Sequence, residues 1–132
     1  MTEGYKDTNP YHHSVHAADV MHCGHMFFFH GGLGEVLGLE HYDISAYFIA
    51  AMIHDYKHPG MNNNYLINSK NALAIRYNDI SVLENMHIAE AFKLMKSDAT
   101  NIMSGVSLDE RKTMRKRIID CVLATDMAKH TS

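Results

Sequence analysis

Cysteine, proline and long apolar runs are all scarce in this chain of 132 residues, and each scarcity excludes something. Two cysteines, Cys23 and Cys121, are too few for a disulfide framework and lack the paired spacing of a metal site. No charged-then-apolar leader opens the chain, and a reducing, cytoplasmic setting is the expectation. Two prolines, Pro10 and Pro59, and no Gly-, Ser- or Pro-rich stretch leave no place for an internal linker. The apolar run through Tyr47–Ile53 falls far short of the ~20 residues that span a bilayer. Basic charge is not in excess either: 12 basic and 15 acidic residues give −3, which excludes a strongly basic nucleic-acid binder. Repeats and alternating strand patterns are absent.

What remains is one domain's length, enough to bury about two-thirds of the unfolded chain's surface, and it reads as helix after helix. Residues 1–10 are polar and expected to be a poorly ordered lead-in. A helical segment from His12 can continue to Phe29, where Gly31, Gly32 and Gly34 break it. Asp43 is placed to cap a helix carrying Ala46, Tyr47, Ile49, Ala50, Met52 and Ile53, apolar nearly all round and therefore buried. That helix must end before Pro59. Met61–Ser69 suits a loop or a short helical turn, and Ala72–Tyr77 a short helix. Ser81 with Glu84, and Ser107 with Glu110, each match a capping box. They open helices over Val82–Met95 and from Ser107 to about Lys129. In the latter, Met114, Ile118, Cys121, Val122 and Thr125 form one stripe. The expected class is all-α, with about six helices.

Histidine is abundant: eleven residues, most in the first half. It is the commonest metal ligand and a proton carrier near neutral pH. His12 and His16 stand four apart, on one face if the stretch is helical. They suit two ligands of one metal, one ligand and one acid, or an ordinary surface pair. His54 and Asp55 close the apolar run AAMIHD, which delivers an imidazole and a carboxylate to the end of a buried helix. An unpaired buried charge is costly, so either a divalent ion or a mutual hydrogen bond must serve them. His58, fixed before Pro59, points into the same neighbourhood as a ligand or as a group orienting one. Glu84 suits either a metal-bound water or a helix cap. Asp126 reads as a solvated aspartate. His22, His25, His30 and His41 read as ordinary histidines. The basic run Arg111, Lys112, Arg115, Lys116, Arg117 reads as a solvated helix face, since no aromatics are interleaved for base stacking. The ten methionines read as packing.

Four blocks in order, YHHSVHAADV (11–20), IHDYKHPGMNNNYLIN (53–68), LAIRYNDISVLENMH (73–87) and VLATDMAKH (122–130), resemble the class I cyclic nucleotide phosphodiesterases. The resemblance runs from Tyr11 to His130. It implies an all-helical catalytic domain holding two divalent metals, zinc with magnesium or manganese, and acting on a 3′,5′-cyclic nucleotide. Carried over position by position, it implies that His12 protonates the leaving 3′ oxygen. His16, His54 and Asp55 match ligands of the tighter metal, with Asp55 also bridging to the second. His58, Glu84 and Thr125 match groups lining the second metal's water shell or the phosphate site, and Tyr11 and Asn63 match positions near the phosphate.

Two positions depart from the family pattern. His13 stands where an asparagine is usual, and Met86 takes the first place of a histidine pair whose second place His87 keeps. Family catalytic domains also run to roughly twice this length. The fourth ligand, an aspartate, and the glutamine and phenylalanine that hold the base are expected beyond Ser132. The expectation is therefore a partial catalytic domain over 11–132, partnered by the remainder of that domain and a cyclic nucleotide. Nucleic-acid partners and a membrane segment are not expected. The alternative is a non-catalytic metal-binding or interaction module built on the same helices.

Overall fold

Among the described residues, 2–130, the computed structural model has seven α-helices and no strand. They are α1 (Ser14–His25), α2 (Leu33–Val36), α3 (His41–Ile53), α4 (Asn63–Asn68), α5 (Ala72–Arg76), α6 (Val82–Leu94) and α7 (Leu108–Leu123). The all-α expectation holds. The count exceeds six because the glycine-broken stretch folds as α2 and the Asn-rich stretch as α4.

The centre is α3, whose sequence HYDISAYFIAAMI has almost no polar face and which buries Ala46, Ile49, Ala50, Ala51 and Ile53. It packs chiefly on α7 and α1. On α7 the expected stripe is realised at Met114, Ile118 and Val122, which are buried, while Cys121 and Thr125 sit at its exposed margin. Ile53 and Ile118 are both 0% exposed, and burying such a side chain stabilises the fold by about 1.5–3 kcal/mol. On α1 the close approach requires Gly24, because a Cβ there would lie 2.2 Å from the Tyr47 ring. A smaller cluster, Leu66, Ala74, Val82, Leu83 and Met86, joins α4 and α5 to α6.

Several local expectations are corrected. The segment 2–10 is no loose lead-in: Tyr5 is buried in the main core and its hydroxyl donates to the Met52 carbonyl at 2.7 Å. Buried Asn9 donates to the His12 and His58 carbonyls at 3.1 and 3.0 Å. The first long helix begins at Ser14, so His12 lies before it. Its far end widens into a π-helical turn, Met26–His30. Asp43 is not the residue before α3 but lies in its first turn, reaching back to the Glu40 amide at 3.2 Å. Ser107 and Glu110 form the expected reciprocal cap. Ser81 does not, because its backbone is left-handed (φ 42°) and its side chain caps nothing. α7 stops at Leu123, followed by a 3-10 turn over Met127–His130. Asp126 turns inward there. It is buried, and its carboxylate accepts from Ser81 Oγ at 2.7 Å and from the Ala128 amide at 3.1 Å.

Candidate metal centre and cleft

One open cleft of about 890 Å³ is lined by Tyr11, His12, His16, His54, Asp55, His58, Asn63, Glu84 and Thr125. All nine candidate residues therefore share one wall-to-wall space. Four segments deliver them: the approach to α1, the turn after α3, the α4–α6 junction and the end of α7.

The turn after α3 sets the geometry. Tyr56 and His58 amides bond back to Ile53 and Asp55 carbonyls at 2.9 and 3.0 Å. Lys57 adopts a left-handed backbone (φ 60°), and its ammonium pairs with Glu90 at 2.7 Å. Gly60 follows at φ 86°, and a Cβ there would press on Asn9 Oδ1 at 3.1 Å. This tight reversal turns both Asp55 and His58 into the cleft.

At its floor three donor atoms form a triangle. His54 Nε2 lies 3.2 Å from His16 Nε2 and 3.1 Å from Asp55 Oδ2, and His16 Nε2 lies 3.4 Å from the same oxygen. A tetrahedral ion bound at roughly 2.0–2.1 Å holds its ligands about 3.3–3.4 Å apart. His54 Nδ1–H donates to the Ala51 carbonyl at 2.7 Å, which aims its other nitrogen at the triangle, as a ligand's outer hydrogen bond does. Two imidazole nitrogens this close to each other and to a buried carboxylate require a cation or a proton between them. The donor set thus fits a divalent ion of the zinc kind. Burial opposes ionisation of Asp55, but hydrogen bonding from His54 and the charges of His54, His87 and His12 together outweigh it and hold the carboxyl at about 2. Burial likewise opposes protonation of His54, and Asp55 reverses the balance and raises its pKa. Burial and neighbouring His54 lower that of His16.

A second group adjoins the first. His12, Asp55 and His58 have ligand atoms within 4.8 Å of one another. His12 stacks flat on His58, with centroids 3.8 Å apart and planes at 7°. His58 Nδ1 accepts the Gly60 amide at 3.0 Å, so its proton resides on Nε2. Burial, then the charge of His12, depress its pKa to about 4 and keep it neutral. His58 is therefore arranged as a donor rather than a ligand. Tyr11 packs on both His12 and His16 rings at 5.1 and 4.4 Å. Because His12 precedes α1, its closeness to His16 comes from this packing and the Asn9 clamp, not from a shared helix face.

On the opposite wall Asn63 Nδ2 donates to Glu84 Oε2 at 3.0 Å, and its Oδ1 accepts the Leu83 amide at 2.9 Å. Asn63 thus fixes Glu84 at the start of α6. Thr125, in the turn just past α7, donates to the Val122 carbonyl at 2.8 Å. Asp126 lines the cleft, but both its oxygens are already occupied, and it does not join the donor triangle.

His87 was legible only as a neighbour. It is 1% exposed, donates Nδ1–H to the Tyr56 carbonyl at 2.6 Å, and brings Nε2 to 3.9 Å from Asp55 Oδ1. Burial lowers its pKa to about 4. Met86 points the other way, into the smaller core. His13 leaves a buried Nδ1 without a partner. Asn9, Tyr5 and the Ser81–Asp126 bond carried no signal in the sequence, because each depends on a partner 45 or more residues away.

Known proteins similar to this all-helical chain place it in a family. The family described as 3′5′-cyclic nucleotide phosphodiesterase matches residues 11–132, and the chain belongs to that family. It is 46% identical over 127 residues to the 3′,5′-cyclic-AMP phosphodiesterase 4 of Dictyostelium discoideum, covering 96% of this chain and 12% of that protein. It is 45% identical over 127 residues to the high affinity cAMP-specific and IBMX-insensitive 3′,5′-cyclic phosphodiesterase 8A of Mus musculus, covering 96% and 15%. The crystal structure of the phosphodiesterase domain of a rhodopsin phosphodiesterase fusion protein from Salpingoeca rosetta superposes with a TM-score of 0.87 at 37% identity. That match covers 98% of this chain and 39% of the solved one. The chain thus spans well under half of each.

Proposed function

We propose that this chain carries the metal-holding part of a catalytic domain that hydrolyses a 3′,5′-cyclic nucleotide, cAMP or cGMP, to the 5′-monophosphate. The observation that carries the reading is the convergence of His16, His54 and Asp55 on one point of a cleft whose walls hold the remaining candidates. Two divalent ions, zinc with magnesium or manganese, are the proposed cofactors. When bound, such ions generate a nucleophilic hydroxide from water and offset phosphate charge.

In this reading His16, His54 and Asp55 hold the tighter ion. His12 donates a ring proton to the 3′ oxygen as its bond to phosphorus breaks, so that the leaving group departs as a neutral hydroxyl. His58 supports His12 by stacking against it while uncharged, so no second positive charge opposes protonation of the acid. Tyr11 fixes the ring planes of His12 and His16. Asn63 holds Glu84 toward the cleft, where Glu84 and Thr125 order water or phosphate oxygens. The base-holding groups belong to the remainder of the domain, which would also exclude water from the open cleft and strengthen electrostatic stabilisation within it.

Turnover of cAMP and cGMP tests the proposal, with this chain alone and within the full catalytic domain. The full domain should hydrolyse at least one of them, and His12→Ala should cost about 10²–10⁴-fold. Wild-type turnover in His12→Ala would remove the acid assignment. Metal binding without turnover in either form would favour a non-catalytic module.

A further inference from the structure

The basic run on α7 divides into two groups with different partners. Lys112, Lys116 and Arg117 pair with Asp109, Asp120 and Asp43 at 3.2, 2.6 and 3.0 Å. Arg111 and Arg115, one turn apart, face the other way. They border a groove of about 490 Å³ between α6 and α7, together with Lys96, Phe92, Met95 and Met103. The Arg115 guanidinium lies over the Phe92 ring at 3.8 Å. Such stacking leaves the guanidinium edge free to donate. Arg111 is anchored by one nitrogen to the Met103 carbonyl at 2.9 Å, while its Nε is shut off from solvent with no acceptor. Among the described residues, none of Lys96, Arg111 and Arg115 has a carboxylate partner. The nearby Lys93 is satisfied by Glu90 at 3.1 Å.

Three cations without a carboxylate partner around one concave space, in a chain of net charge −3, make that space complementary to an anion. The Arg115 guanidinium presents a planar, multiply donating edge, and Arg111 keeps one terminal nitrogen uncommitted, an arrangement that suits the several oxygens of a phosphate. A phosphomonoester carries about −1.5 to −2 charges near neutrality, which three cations more than offset. The groove's volume lies within the roughly 300–1,000 Å³ range of small-molecule sites. Its Met95 and Met103 walls suit an apolar or ring-bearing body attached to the phosphate. The groove is formed by the far half of α6, the connection after it and the first half of α7, and no residue lining it also lines the metal cleft.

We propose that this groove binds a phosphomonoester through Arg111, Arg115 and Lys96, as a second site independent of the metal cleft. The phosphate could be carried by a soluble ester or by a lipid headgroup. The test titrates the chain with glycerol 3-phosphate by calorimetry in chelator-treated buffer, on a His54→Ala background that disables the metal cleft. In parallel, the chain is sedimented with phosphatidylcholine vesicles with and without phosphatidic acid. Saturable binding to either probe should weaken at least about tenfold in Arg111→Gln and in Arg115→Gln. It should change little in Lys112→Gln and Lys116→Gln, which alter net charge equally on the same helix. Circular dichroism melts identify any variant that has lost its fold, and Lys96→Gln then supplies the comparison. Binding only to vesicles assigns a lipid source, and binding to glycerol 3-phosphate assigns a soluble one. Absence of saturable binding to both probes, equal loss in all α7 variants, or equal competition by acetate at matched ionic strength would overturn the proposal.

Discussion

Asp55 is where the chain's chemistry is concentrated, because its two oxygens face His16 and His54 on one side and His87 on the other. The position was legible: a His-Asp pair closing an apolar helix has to meet a cation, a proton or a hydrogen-bond partner. What the sequence could not disclose is the support behind it. Asn9 looks like one more polar residue before a proline, yet it ties the backbone of His12 to that of His58, 49 positions beyond Asn9. Replacing it by alanine removes one buried amide that serves two carbonyls. Asn9→Ala should cost about 1–3 kcal/mol in urea unfolding, and a loss below a few tenths would show that the clamp is not needed. Asp126 teaches the same lesson in reverse, since a residue that reads as solvated is buried because Ser81 reaches it from another helix.

At the scale of elements, two stretches with the same spelling behave differently. Ser-x-x-Glu occurs at Ser107 and at Ser81, and only the first is a capping box. A cap needs an extended backbone at the serine, which Ser107 has at φ −60°, ψ 159°, while Ser81 follows two left-handed residues, Asn78 and Asp79, and is left-handed itself. Spacing shows the helix starts in both cases, and both α6 and α7 begin where expected. The role of the serine is decided by the turn before it. Ser107→Ala should therefore cost about 1 kcal/mol, the ordinary loss of a cap. Ser81→Ala should cost about 1–3 kcal/mol instead, because it strands a buried carboxylate oxygen of Asp126. Chemical denaturation of the two variants separates them, and equal small losses would remove the structural role given to the Ser81–Asp126 bond.

Over the whole molecule, the all-α class and the order of the long helices follow from apolar periodicity, and the nine candidate residues do come together in one cleft. The short helix α2 was not legible because four residues carry too little pattern to show a helical period, and the folded segment 2–10 was not because its partners, Met52 and His58, lie far along the chain. Burial of two imidazoles also gives the fold a pH dependence. His58 and His87 have folded-state pKa values depressed to about 4 against an ordinary 6.5. The unfolded chain takes up protons that the folded chain refuses, so their contribution is fully present above pH 6.5 and is lost as pH falls toward 4. The urea midpoint of the metal-free chain should drop across that window, and a flat profile would contradict the burial assigned to both rings. Acidification should also release a bound ion, because protons compete for the His16 and His54 nitrogens that would hold it.

The account rests on His16, His54 and Asp55 acting together as a metal site, with His12 standing outside it as the acid. Elemental analysis of purified chains, with circular dichroism to verify folding, tests this directly. The wild type and His12→Ala should each retain a tightly bound divalent ion, while His54→Ala and Asp55→Asn should lose it with their helical content unchanged. A metal-free wild type, or retention of the ion in folded His54→Ala and Asp55→Asn, would contradict the account.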